Sequence, residues 1–158
     1  MLTGLLTPAV THFASGRRRR QELAEKDRDK LGQVFDEVLV AMNQVWSDYI
    51  ERLRALIHHR TGADDGHLPD LRSGMERDLD RLDLLIQRAE ILGASSSLAE
   101  ASDKLARFCY DFLALPVGAH FSIEEERSVK GQQSDAVAAM ARMKNAMAAD
   151  LVRLRLAG

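Results

Sequence analysis

The sequence predicts an all-α protein, an antiparallel bundle of about four helices with a long first helix and an amphipathic N-terminal arm. Three observations carry this. Apolar residues recur at steps of three and four along most of the 158 residues, the spacing that lines one face of a helix. Proline is scarce, at three residues, and leaves long stretches uninterrupted. No segment alternates apolar and polar residues between hairpin turns, so no sheet is expected.

The arm comes first. Residues 1–20 read MLTGLLTPAVTHFASGRRRR, with Leu2, Leu5, Leu6, Ala9, Val10 and Phe13 on one helical face. Thr7 followed by Pro8 suits an N-cap and first helical position, where a missing N–H costs nothing. Gly16 weakens or bends the join to the arginines. The apolar stretch is shorter than the roughly 20 residues that cross a bilayer. Its cations come after the apolar run instead of preceding it, the reverse of a secretory signal.

Helix one is expected from Arg20 to Arg60, with the stripe Leu31, Phe35, Val38, Met42, Val45, Tyr49, Leu53 and Leu56. Its first turns, Gln21 to Lys30, are almost wholly charged and overhang the bundle, helped by the Glu22 and Lys26 pair at i,i+4. Residues 61–72, TGADDGHLPDLR, read as a loop. Ser73 and Glu76 form a capping-box pattern that opens helix two. Leu68, Pro69 and Leu71 leave room for a start four or five residues earlier. Gly93 supplies the left-handed residue that closes it.

Helix three, of about 18 residues, opens on a second such pattern, Ser97 with Glu100, and stops before Pro116 and Gly118. Ser122 and Glu125 repeat the pattern for helix four. Its course past Gly131 is left open, with Ser134 as an alternative start. These 158 residues suit a single domain, divided into the arm at 1–20 and a helical-bundle domain at 21–158.

The chemistry-bearing patterns are mostly missing. A di-iron bundle requires Glu-x-x-His on two helices, and the chain contains no such tetrad. His-Glu-x-x-His, a Walker loop, G-x-G-x-x-G and G-x-S-x-G are missing too. His120 with Glu124, and the loop cluster Asp64, Asp65, His67 and Asp70, are weak metal candidates that equally describe a polar helix start and a polar loop. His58, His59 and Arg60 suit the negative end of a helix. Cys109, the single cysteine, sits between Phe108 and Tyr110 as packing, and no disulfide within the chain can form. Trp46 and Tyr49 are expected to fill the core as an aromatic layer. Met140, Met143 and Met147 either line an adaptable groove or pack in an alanine-rich interface.

Charge points to where a partner attaches. The net charge is −2, and the first 20 residues hold four arginines and no acid, leaving −6 for the other 138. The expectation is a cytoplasmic, non-enzymatic interaction or adaptor protein without a cofactor. Leu2, Leu5, Leu6, Phe13, Arg17, Arg18, Arg19 and Arg20 would dock it on a protein partner or on an anionic membrane surface at the inner face of a membrane. An overhanging helix and an apolar leader favour homo-oligomers as well. Two alternatives stand behind this reading. One is an accessory nucleic-acid-binding subunit using Arg17–Arg20, and the other is a cryptic metal-binding bundle.

Overall fold

The computed structural model describes residues 7–62, 68–115 and 121–156, with side-chain surroundings at Arg19 and from Gln21 onward. These residues form four helices and no strand: α1 (Thr7–Arg60), α2 (Leu68–Ile91), α3 (Ser96–Leu113) and α4 (Ile123–Leu156).

Helix α1 is 54 residues long, about 80 Å at 1.5 Å per residue. It passes through Gly16 and Arg20 without a break, so the arm from Thr7 onward and the first bundle helix are one element. Its expected stripe is buried from Leu31 to Leu56, and Val34 and Ala41 join it. The last turn is closed by Thr61, whose amide and hydroxyl both donate to the His58 carbonyl, and by Gly62 at φ +89°. A left-handed glycine at that position accepts a geometry that would strain any other residue.

Helix α2 begins at Leu68, five residues before the expected start. Leu68 is buried, and Pro69 occupies the first turn, where proline suits a helix. The Ser73 and Glu76 pattern therefore lies inside α2 and caps nothing: Glu76 accepts from Arg72 at 2.9 Å, and the Ser73 carbonyl accepts from Arg77. Gly93 closes α2 at φ +95°, and Ala94 donates back to Ala89.

The second expected box is also displaced. Ser95, not Ser97, is the N-cap of α3, and its hydroxyl makes no bond to the helix it opens. Its amide and hydroxyl instead donate to Asp150 of α4, at 2.8 and 3.0 Å. The third box forms as expected. The Ser122 amide donates to Glu125 at 2.6 Å, and the Glu125 amide donates to the Ser122 hydroxyl at 3.1 Å. Helix α4 then runs through Gly131 to Leu156 without a break.

The four helices share one apolar core. α1 packs mainly on α2, and α3 mainly on α4; α2 with α3 and α1 with α4 complete the ring. Across the centre, the Tyr49 ring meets Phe108 and Phe112 edge-on at 5.0 and 4.7 Å and stacks on Trp46 at 4.9 Å. The aromatic layer expected of Trp46 and Tyr49 is thus present, and the Tyr49 hydroxyl accepts from Gln133 of α4 at 2.8 Å. Met143 and Met147 are buried and Met140 packs against the core, so these methionines serve packing.

Candidate functional site

Of the residues expected to hold a partner, Leu2, Leu5 and Leu6 lie outside the described residues. Phe13, Arg17, Arg18 and Arg20 belong to α1, but their side chains lie outside the described set. Arg19 is exposed, as are nearly all side chains from Gln21 to Lys30, and among the described side chains of α1 the first buried one is Leu31. A cleft of about 200 Å³ lined by Gln21, Ala24, Glu25, Arg28, Leu154 and Arg155 places this stretch beside the last turns of α4. The residues before Gln21 continue as helix beyond it.

The chemically distinctive groups lie elsewhere, on the side of α1 that meets α2. Asp48 accepts a 2.9 Å hydrogen bond from Gln44 at Oδ1, whereas its Oδ2 is buried without a hydrogen-bond donor. Asp78 of α2 lies near enough to act on this carboxyl. Burial, the contact with Asp78, and the charges of Asp78 and Glu51 push the Asp48 carboxyl up to about 6, against a smaller lowering by Gln44.

One turn further along α1, Arg52 is 1 % exposed, and its Nη1 donates to the Leu68 carbonyl at 3.2 Å. Its Cζ lies 5.8 Å from the centre of the Phe112 ring. Nε and Nη2 have no partner. Burial lowers the guanidinium from its ordinary value, Arg72 lowers it further, and Glu76 opposes. Composition and periodicity could not reveal this seam, because it depends on which turn of α2 faces which turn of α1.

At the same end of the molecule, Arg60 reaches across to Glu126 of α4 at 2.7 Å and lies over the Phe121 ring. Lys130 binds the other Glu126 oxygen. Hydrogen bonds from Lys130 and then Arg60 hold the Glu126 carboxyl below the usual range. Arg60 thus ties α1 to α4.

Among the described residues, the remaining sequence candidates form no reactive centre. Cys109 is fully buried, and burial pushes its thiol up to about 12, which leaves too little thiolate for nucleophilic chemistry near neutral pH. His120, Asp64, Asp65 and His67 lie outside the described residues. Among the described residues, no three His, Cys, Asp or Glu side chains are placed to share a metal ion. No described helix is long and apolar enough to cross a membrane. No family model, no curated protein and no solved structure matches this chain.

Proposed function

We propose that this chain is a non-enzymatic interaction protein, an antiparallel helical bundle that docks on a membrane surface or a protein partner through its N-terminal arm. The observation that supports this reading is that α1 is already helical at Thr7, while Arg19 and nearly all side chains from Gln21 to Lys30 are exposed. The exposed stretch from Gln21 to Lys30, about 15 Å of helix, touches the bundle only along the cleft beside the last turns of α4 and leaves its charged surface open to a partner. A helix continuous with a packed bundle carries the backbone of residues 17–20 out from the core, where the arginines would meet a partner.

Contacts at the two ends support the antiparallel arrangement. Asp150 with Ser95, and Arg153 with the Gly93 carbonyl, join the end of α4 to the α2–α3 connection. Arg60 with Glu126 joins the end of α1 to the start of α4. Helix α1 leaves from the former end, where Leu23, Ile91, Val152 and Leu156 are exposed. Apolar side chains beside arginines suit an anionic lipid surface, where each cation is worth about 1 kcal/mol, and equally an apolar groove on a protein.

Deletion of residues 1–20, and the full-length chain with Arg17–Arg20 replaced by glutamine, test the reading. Both variants should keep a helical circular dichroism spectrum and lose co-sedimentation with phosphatidylserine vesicles, or lose the protein partner recovered with the intact chain. Binding that survives in both variants removes the arm from the mechanism. The four arginines also favour the nucleic-acid alternative, which predicts an affinity falling steeply with salt. A flat filter-binding response across salt excludes it.

A further inference from the structure

We infer that the exposed start of α1 pairs antiparallel with the same stretch of a second copy of this chain, in the space that opens beside α1 where α2 ends. The inference rests on the reading of α1's start as the docking element, and it names the protein partner. Two contacts fix how far α2 extends along α1: Arg52 donates to the Leu68 carbonyl at 3.2 Å, and Glu37 stands 3.8 Å from Arg88. Helix α2 ends three residues later, at Ile91, opposite roughly Val34. Helix α4 continues further, since Leu154 and Arg155 share a cleft with Gln21, Ala24, Glu25 and Arg28. About 20 Å of α1, from Gln21 to Val34, thus has α4 on one side and, among the described helices, no element in the line of α2.

Two apolar side chains border that space. Leu23 precedes Glu37 by close to four full helical turns, so it lies on the side of α1 that faces α2 further along. It is 60 % exposed, and Ile91 at the end of α2 is 85 % exposed. A helix laid against α1 in the line of α2 removes both from water. The start of α1 in a second copy is such a helix, continuous from Thr7.

Charge selects this partner and its direction. Residues 17–20 are four arginines, and Gln21 to Lys30 holds four acids and three cations. Glu22, Glu25, Asp27 and Asp29 are all exposed; Lys30 and Arg28 stand 3.7 and 3.9 Å from Asp27 and Asp29 and offset part of their charge. A parallel pair sets the two arginine runs side by side, and they repel. An antiparallel pair about a two-fold axis near Leu23 sets each run beside the acids of the other copy and brings the two leucines together. It also carries the first residues of the other copy's helix, among them Ala9, Val10 and Phe13, toward Ile91. An anionic lipid surface attracts the arginines but repels the four acids that follow them, whereas a second copy satisfies both.

Sedimentation equilibrium of the full-length chain, at concentrations up to about 100 μM, tests the pairing. The expected mass is that of two chains, with salt favouring dissociation. Leu23→Arg and Ile91→Arg should each keep a helical circular dichroism spectrum and weaken the dimer roughly tenfold or more; either one suffices if the other does not fold. Val137→Arg, exposed in the middle of α4, should leave the dimer unchanged. On mild oxidation Leu23→Cys should cross-link to its copy and Lys30→Cys should not, because the two-fold axis holds the latter about 20 Å apart; the native Cys109 is buried and does not compete. A monomer throughout the range overturns the inference, and such a monomer that binds phosphatidylserine vesicles through Arg17–Arg20 keeps the arm as a docking element on lipid alone. A dimer that survives both Leu23→Arg and Ile91→Arg, or that is lost only in Val137→Arg, places the interface elsewhere and overturns it too. Cross-linking at Lys30 in place of Leu23 overturns the antiparallel direction.

Discussion

A guanidinium taken out of water has to replace its hydration with hydrogen bonds, and Arg52 replaces little of it. One donor reaches the Leu68 carbonyl, the Phe112 ring offers a weak electrostatic surface, and Nε and Nη2 go unpaired. Buried charges without a full set of partners cost more than they return, and apolar side chains of similar length often replace them with a gain. Arg52→Met should therefore raise the unfolding free energy at pH 7 by about 1–3 kcal/mol, read as a shift of the urea midpoint with an unchanged slope. A loss of stability would mean that the Leu68 tie outweighs the desolvation. Nothing in the run of residues around Arg52 distinguishes it from Arg54, which is exposed. The difference is angular: position 52 falls at the edge of the buried stripe, and only the placement of α2 and α3 decides that this edge is covered.

At the scale of single helices, the pattern S-x-x-E occurs as Ser73 with Glu76, Ser97 with Glu100 and Ser122 with Glu125, and only the third caps a helix. In that box both orphan amides are satisfied reciprocally. Ser122→Ala should cost about 1 kcal/mol, visible as a lowered thermal midpoint, whereas Ser97→Ala should stay within about 0.5 kcal/mol as an ordinary surface change. Equal losses in the two variants would contradict the assignment. The reason for the two misplaced starts is physical. Serine and glutamate three apart are also neighbours inside a helix, so the pattern marks a start only where the chain in front of it is not helical. Before Ser73, burial of Leu68 and the fit of Pro69 in a first turn extend the helix. Before Ser97, Ser95 is drawn into the cap position by Asp150, 55 residues away. The stripes themselves were legible from spacing alone, because burying an apolar face is the main stabilising term and leaves its period in the sequence. The nearness of Asp78 to Asp48 was not, since the register between two helices leaves no local trace.

In the whole molecule, α1 with α2 and α3 with α4 are the two closely packed pairs, which raises the question of whether they unfold as one. The diagonal contacts of Tyr49 answer it. Its ring touches Phe108 and Phe112 of α3, and its hydroxyl takes a hydrogen bond from Gln133 of α4. One α1 side chain is thus shared by both elements of the other pair, and Arg60 with Glu126 adds a second tie between α1 and α4. Opening one pair alone would strand Tyr49 and expose the aromatic layer, so partial unfolding is disfavoured. Trp46 emission, which reports α1, and far-ultraviolet ellipticity, which reports all four helices, should give coincident denaturant transitions. Tyr49→Ala removes the shared ring and leaves Gln133 without its acceptor. It should cost about 3–5 kcal/mol and separate the two transitions, with the tryptophan signal lost first. Separate transitions in the unaltered chain would show that the pairs are independent units joined only by their connections.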